Sequence, residues 1–398
     1  MVDFTLSEEQ LMLQKTARDF AQKEIKPIVE KLHHLGDDTD PWPLCKPMVQ
    51  KGVELGFTKL FVPEEYGGIG ATLFDTTLIL EELGAADVSI AADYFSLTAS
   101  MALLLMVGGN DEQKKRIFGQ IDASDCFMFS GAQSEPNVAG SELFCPYPDA
   151  KFGMKTQAKR EGDHYILNGQ KSAFITNAGI SDAYFILART DSSKPQVEGV
   201  SIFYVPANAP GLQIAKRTKL IGWHTSYHAE VYLDNVKVPV TDRIGEEGGA
   251  LMLFAQLPQM PVCLAACFIG LARASYEYAL QYAKERNSWG QPIIEHQAVA
   301  LKLADMYCDL QAARLMVWDA AKAVETNPFE AGTLKGPAAK TMAVDVAIKN
   351  AERAMQILGG YGVAKEYSTG RFLNDAWVGY ACDFTRDVLR LGMVGFLK

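Results

Sequence analysis

Residues 356–387 read QILGGYGVAKEYSTGRFLNDAWVGYACDFTRD. The fold is decided by the run they terminate and by the residue they lead to. Gly359-Gly360 ends an apolar series at helical spacing: Val344, Ala347, Ile348, Ala351, Met355 and Leu358. The stretch then runs to Asp383, a lone carboxylate in an aromatic and apolar setting. Glycine backbone can approach a ligand closely, and a carboxylate among apolar neighbours is a candidate general base. Together they outline a cofactor site beside a catalytic group.

Working back from this stretch, two more helical stripes precede it. Leu264, Cys267, Leu271, Ala274 and Tyr278 form one, and Val299, Leu303, Met306, Leu310, Ala313 and Val317 the other. Spacing by threes and fours predicts antiparallel bundle helices over 241–398. Before them, over 121–240, short β-branched and aromatic segments alternate with turn signals: Cys126–Phe129, His164–Leu167, Ala183–Leu187, Ser201–Val205 and Ala229–Leu233. An antiparallel β domain, sandwich or barrel, is expected there.

Residues 1–120 read as helical. Ser7 and Gln10 form a capping-box pattern, and Pro27 is expected to end or kink the first helix. Thr72–Gly84 and Val88–Val107 are apolar enough to be buried helices, yet the second contains Asp93. A buried carboxylate costs several kcal/mol unless it is paired or protonated. The predicted class is therefore α+β multidomain: an N-terminal all-α domain, a central antiparallel β domain and a C-terminal helical bundle.

The 398 residues carry a formal net charge of −10, which argues against a nucleic-acid partner. The N-terminus lacks the basic start and apolar core of a signal peptide. No apolar run reaches the ~20 residues of a membrane helix, so a cytoplasmic protein without membrane insertion is expected. Seven cysteines and six histidines show no ligand spacing, and no metal is predicted.

Six segments in this order resemble the acyl-CoA dehydrogenase family along essentially the whole chain. They are VPEEYGG (62–68), QSEPNVAGS (133–141), NGQKSAFITN (168–177), LDNVKVP (233–239), RNSWGQPIIEHQAV (286–299) and QILGGYG (356–362). Alone, each has a plainer reading. Gly359-Gly360 can be only a helix C-cap, Arg286 a solvated charge and Phe174 a strand core residue.

The resemblance implies an FAD enzyme acting on an acyl-CoA, with an electron-transferring flavoprotein as acceptor and a homotetrameric assembly. Gln133, Ser134, Gly140 and Ser141 would line the flavin and the thioester cleft. Phe174 and Thr176 would pack on the isoalloxazine ring, with Thr385 also at the FAD. Arg286, Trp289, Gln297, Gln356 and Gly360 would reach the FAD of a neighbouring subunit. The family removes a proton α to the thioester and a β-hydride, which goes to flavin N5.

The family's catalytic Glu-Gly-Thr falls on Asp383-Phe384-Thr385. Aspartate retracts the carboxylate by roughly 1.5 Å, and a displacement near 1 Å can cost ~100-fold in rate. Some relatives carry the base on the first long bundle helix, where this chain has Met260 and Pro261. Asp93 is expected at the far end of the acyl pocket, with Tyr94, Phe95, Met260 and Phe384 as lining.

An aspartate base and a second pocket acid resemble the branch acting on alicyclic CoA esters. The favoured reaction is cyclohexane-1-carboxyl-CoA to cyclohex-1-ene-1-carboxyl-CoA with Asp383 as base. Diene formation from the cyclohexene ester by 1,4-elimination, with Asp93 as base, is an alternative, as is a branched or aromatic substrate. A dicarboxylate pocket would want a cation near Asp93, and no Lys or Arg stands between Lys59 and Lys114.

Overall fold

The computed structural model describes residues 5–36, 38–139, 149–382 and 384–397. Helices come first, then a sheet, then helices again, as the periodicities require. Ser7 Oγ accepts from Gln10 N, and the Gln10 side chain returns to Ser7 N, which starts α1 (Glu8–Phe20). Pro27 does not end this rod, which was one of the two outcomes expected of it. A π turn, Ala21–Ile25, widens the helix just before α2 (Lys26–Leu35). Pro27 then occupies the first turn of α2, where a missing N–H is tolerated.

The N-terminal part continues with α3 (Trp42–Glu54) and α4 (Leu73–Ala86). A second π turn, Ile90–Ser96, leads into α5 (Leu97–Gly108), followed by α6 (Asp111–Asp122). The 19 residues Ile90–Gly108 are long and apolar enough to cross a membrane, but most of that stretch is buried inside the protein. α4 is buried almost all round, Glu81 and Glu82 included. Arg273 and Arg314 neutralise Glu81, and Arg18 and Arg273 neutralise Glu82.

The sheet uses β1 (Phe129–Ala132), β2 (Gln157–Glu161), β3 (His164–Thr176), β4 (Ala183–Arg189), β5 (Val200–Pro206), β6 (Leu212–Ile214), β7 (His228–Pro239) and β8 (Arg243–Ile244). Its order is β6-β7-β3-β2-β4-β5-β8, with β1 added against β4. Most pairs are antiparallel, as expected, but β1 runs parallel to β4, and so does β2 where Gln157 meets Arg189. The β2–β3 hairpin intervenes in the chain before β4 is laid beside β1. A parallel pair needs such a crossover.

The C-terminal bundle consists of α7 (Gln259–Glu285), α8 (Gln297–Thr326), α9 (Gly336–Leu358), α10 (Thr369–Ala381) and α11 (Arg386–Leu397). One apolar core runs through the N-terminal helices and this bundle. The two are pressed together where α4 crosses α7. A Cβ on Gly84 would fall 2.3 Å from the Cys267 carbonyl, and one on Gly270 2.4 Å from that of Glu81.

All three parts meet at Trp223. Its N–H donates to Asp375 Oδ1 (2.7 Å) and its indole N–H to the Asp375 carbonyl (3.0 Å). Thr225 donates to Asp87 (2.9 Å), and Arg371 reaches both Asp87 and Asp375.

Candidate active site

β3 and β7 hold the centre of the site. Their register slips between Lys171 and Ile175 by two residues, an even number, so both of these residues stay on the inward face. Beyond the slip Ile175 enters the sheet core, while Phe174 is 63% exposed and Thr176 half-buried. Thr176 pairs with His228 across the ladder, and Thr176 Oγ1 lies 3.2 Å from His228 Nε2.

Lys171, before the slip, is fully buried, and its Nζ reaches Glu135 Oε1 (3.1 Å) and the Gln133 carbonyl (3.2 Å). Burial pushes the Lys171 ammonium down to about 8, against the pull of Glu135. Burial also pushes Glu135 upward, but Lys171 and the N–H groups of Lys155 and Thr156 outweigh it and hold the carboxyl below its ordinary value. This pair moors the 133–138 segment, placing Ser134 Oγ 2.7 Å from Ser172 Oγ. Gly140 and Ser141 lie outside the described residues.

Asp93 comes to the same place from the N-terminal helices, on the π turn Ile90–Ser96. Asn177, buried and at φ +61°, fixes that turn by donating to the Asp93 carbonyl (2.6 Å) and the Phe129 carbonyl (3.2 Å). Asparagine tolerates the left-handed region better than bulkier residues. The Asp93 carboxylate is 4% exposed as a residue, and its Oδ2 is 3.8 Å from His228 Nε2. Burial and the charge of Arg217 push the His228 imidazole down to about 4, so it is neutral at physiological pH.

Tyr94 and Phe95 turn away from this spot into the helical core. Tyr94 donates to the Thr225 carbonyl and stacks edge-on against Trp42. Phe95 packs on Phe20 and Phe57. Met260 is partly buried against the second apolar core.

The segment around 383 follows α10. Asp383 itself lies outside the described residues. Phe384 stands at φ +61°, an uncommon conformation for a bulky side chain. Lys340, fully buried on α9, donates to the carbonyls of Gly379 (3.2 Å), Cys382 (2.8 Å) and Phe384 (3.3 Å). Thr385 accepts the backbone N–H of Leu389, and Arg386 forks onto Asp345 with two 2.7 Å bonds.

A further group gathers at one end of the bundle. Arg286 follows α7 and lies over the Tyr361 ring at 5.4 Å, bringing the Asn287–Pro292 hairpin to the glycine turn. Trp289 at the hairpin tip is 93% exposed. Gln297, Gln356 and Gly360 are exposed on the adjoining helix ends. Gly359 has φ +60° and caps α9, so its glycine is explained by the cap. A Cβ on Gly360 would meet nothing, leaving its backbone open to a ligand.

The donor set fits a flavin dinucleotide. An exposed ring on Phe174 offers an apolar face and the Ser134 and Thr176 hydroxyls offer partners for a ring edge. Arg286 and the open Gly360 backbone suit a pyrophosphate. Sequence reasoning did not single out His228, Asn177, Lys171, Glu135 or Lys340. Asn177 and Lys171 stand within the NGQKSAFITN segment and Glu135 within QSEPNVAGS, while His228 and Lys340 had no motif to mark them.

Known proteins cover this geometry end to end. Models of the acyl-CoA dehydrogenase N-terminal, middle and C-terminal domains match residues 7–123, 131–236 and 247–393. The mitochondrial isobutyryl-CoA dehydrogenase of Dictyostelium discoideum is 33% identical over 97% of this chain and 88% of its own length. The structure of butyryl-CoA dehydrogenase from Megasphaera elsdenii is 32% identical, covers 100% of both chains and superposes with a TM-score of 0.89. A chain from a structural study of the electron transferring flavoprotein of Acidaminococcus fermentans is 30% identical, with a TM-score of 0.90 over 100% of this chain and 99% of that one. The chain belongs to the acyl-CoA dehydrogenase family and is a flavin-dependent oxidoreductase.

Proposed function

We propose that this enzyme dehydrogenates an alicyclic acyl-CoA, taking cyclohexane-1-carboxyl-CoA to cyclohex-1-ene-1-carboxyl-CoA. The observation that carries the reading is the Asp93 carboxylate, buried beside His228, whose Nε2 also meets Thr176. A pocket for a straight aliphatic tail gains nothing from a desolvated acid, which costs several kcal/mol. Asp383-Phe384 in place of the family's Glu-Gly adds to it, because a wide, short ring suits a retracted base and a bulky neighbour.

Asp383 takes the proton α to the thioester. FAD, when bound, supplies the acceptor for the β-hydride. Phe174 would offer the flavin an apolar face and Ser134 and Thr176 hydrogen-bond partners, with Gln133, Gly140, Ser141 and Thr385 as the further residues that would hold it. Arg286, Trp289, Gln297, Gln356 and Gly360 would hold the FAD of a neighbouring subunit, so the site needs at least two copies of the chain, and the family resemblance extends this to a homotetramer. An electron-transferring flavoprotein re-oxidises the enzyme, and the likeness to the chain from the Acidaminococcus fermentans study supports that partner.

The placement of Asp93 next to an unprotonated imidazole favours a second reading. Here the cyclohexene ester is the substrate and Asp93 the base of a 1,4-elimination to the conjugated diene. Anaerobic addition of each ester to the FAD-loaded enzyme, with product mass from a single turnover, tests both. Bleaching by the saturated ester with loss of two hydrogens is expected. Bleaching by neither ester, with bleaching by a branched or aromatic one, sinks the alicyclic reading.

A further inference from the structure

Asp93 shares its surroundings with a histidine whose tautomer the hydrogen bonds determine. Ser226 Oγ spends its one hydrogen on the Trp223 carbonyl (2.8 Å), so it can only accept from His228 Nδ1 at 3.0 Å. Nδ1 therefore carries the proton of the neutral ring. Nε2 is left as an acceptor, with Thr176 Oγ1 at 3.2 Å and Asp93 Oδ2 at 3.8 Å. The Thr176 hydroxyl must then donate to Nε2. The donor chain on the other side ends at a carbonyl, which cannot pass a proton on.

We infer that His228 is the proton partner of Asp93, and that a proton shared between them reverses the hydrogen bond to Thr176. This rests on the second reading above, in which the cyclohexene ester is the substrate and Asp93 the base. A ring C–H bond of the acyl group breaks, and its proton forms an O–H bond on Asp93. The carboxylate charge left on Asp93 draws that proton toward Nε2 and offsets the burial and Arg217 charge that keep the resting ring neutral, while the hydride leaves to the flavin that the established activity supplies. Nε2–H then donates to Thr176 Oγ1, and the threonine hydroxyl keeps its hydrogen and turns it toward the open face where Phe174 lies. His228 is a positioning and proton-holding residue, since it acts through Asp93 and Thr176.

The consequence is a second acid–base centre, separate from position 383, that exchanges hydrogen with the ring. The test incubates FAD-loaded enzyme with cyclohex-1-ene-1-carboxyl-CoA in D2O and follows substrate mass. Deuterium should enter the ring with the parent enzyme. Exchange should vanish in Asp93→Asn and slow at least tenfold in His228→Gln, with FAD content retained.

Nitrogen-15 NMR of histidine-labelled parent enzyme should show the Nδ1–H tautomer for His228, a reading independent of how any variant folds. Parent-rate exchange in His228→Gln, or an Nε2–H tautomer, overturns the inference. Flavin bleaching by the saturated ester without ring exchange would reject the pair and keep the substrate class. Ring exchange and the Nδ1–H tautomer without that bleaching would keep the pair and reject the saturated ester.

Discussion

Lys340 Nζ stands 2.8 Å from the Cys382 carbonyl and gathers the carbonyls of Gly379 and Phe384 around the same ammonium. The C-terminal end of α10 has carbonyls that no helical N–H can satisfy, and a cation there also meets the negative end of the helix dipole. One side chain thus holds the backbone on both sides of position 383. Lys340→Met leaves buried carbonyls unpaired, at a cost of ~1–3 kcal/mol each where no water replaces the donor. We expect a lower urea midpoint and, in the folded fraction, at least ~10-fold slower flavin reduction, since ~1 Å of misplacement suffices for more. A reduction rate equal to the parent's would show that the segment holds its own shape.

Two carboxylates compete for the role of base, and their ranking separates the two ring reactions. Asp383→Asn is expected to abolish flavin reduction by the saturated ester, and Asp93→Asn only to slow it. The measurement is stopped-flow bleaching under anaerobic conditions. The reverse ranking would favour diene formation.

Phe384 occupies the left-handed region at φ +61°, where a Cβ costs roughly 1–2 kcal/mol. Phe384→Gly removes that strain along with a half-buried ring, so the net stability change should stay within about 1 kcal/mol. The space released should favour narrower substrates. Reduction by butyryl-CoA relative to the cyclohexane ester is expected to rise by about tenfold, the scale of a pocket contact. A fall in that ratio would remove Phe384 from the substrate wall.

His228 gives a stability signature of its own. Burial and Arg217 depress its folded value to about 4 from the ordinary 6.5. Above 6.5 the ring is neutral in both folded and unfolded chains, and the native state bears no charging cost. As pH falls from 6.5 toward 4, the unfolded chain takes up a proton that the folded one refuses, so stability is lost across that window. The linked loss is on the order of 3 kcal/mol. Urea unfolding of His228→Gln should therefore fall less steeply between those pH values than that of the parent, and parallel curves would contradict the assignment.

The helical–β–helical order was legible because apolar periodicity reports which face is buried, and Leu303, Met306, Leu310, Ala313 and Val317 are all buried as their spacing requires. β2 was not, because its sequence QAKRE leaves four of five residues exposed and gives no alternation. Tyr94 and Phe95 follow Asp93 directly, yet residues on one helical turn face different ways, and both rings pack into the core. His228 and Asp93 are brought together by the pairing of β3 with β7 and by the Asn177 bond to a π turn. These are long-range events that local patterns do not record. Lys340 belongs with them, since a lysine at a buried helical position reads from sequence as a solvated one.

The Trp223 junction limits how this enzyme can be recombined with its relatives. Asp87, Trp223, Thr225, Arg371 and Asp375 come from all three parts of the chain, and their bonds close only as a set. A chimera that swaps the sheet alone would separate Trp223 and Thr225 from the aspartates and arginine that receive them. The unit of exchange is therefore the sheet together with those matching helix positions, and crossover points chosen from domain boundaries alone would cut through it.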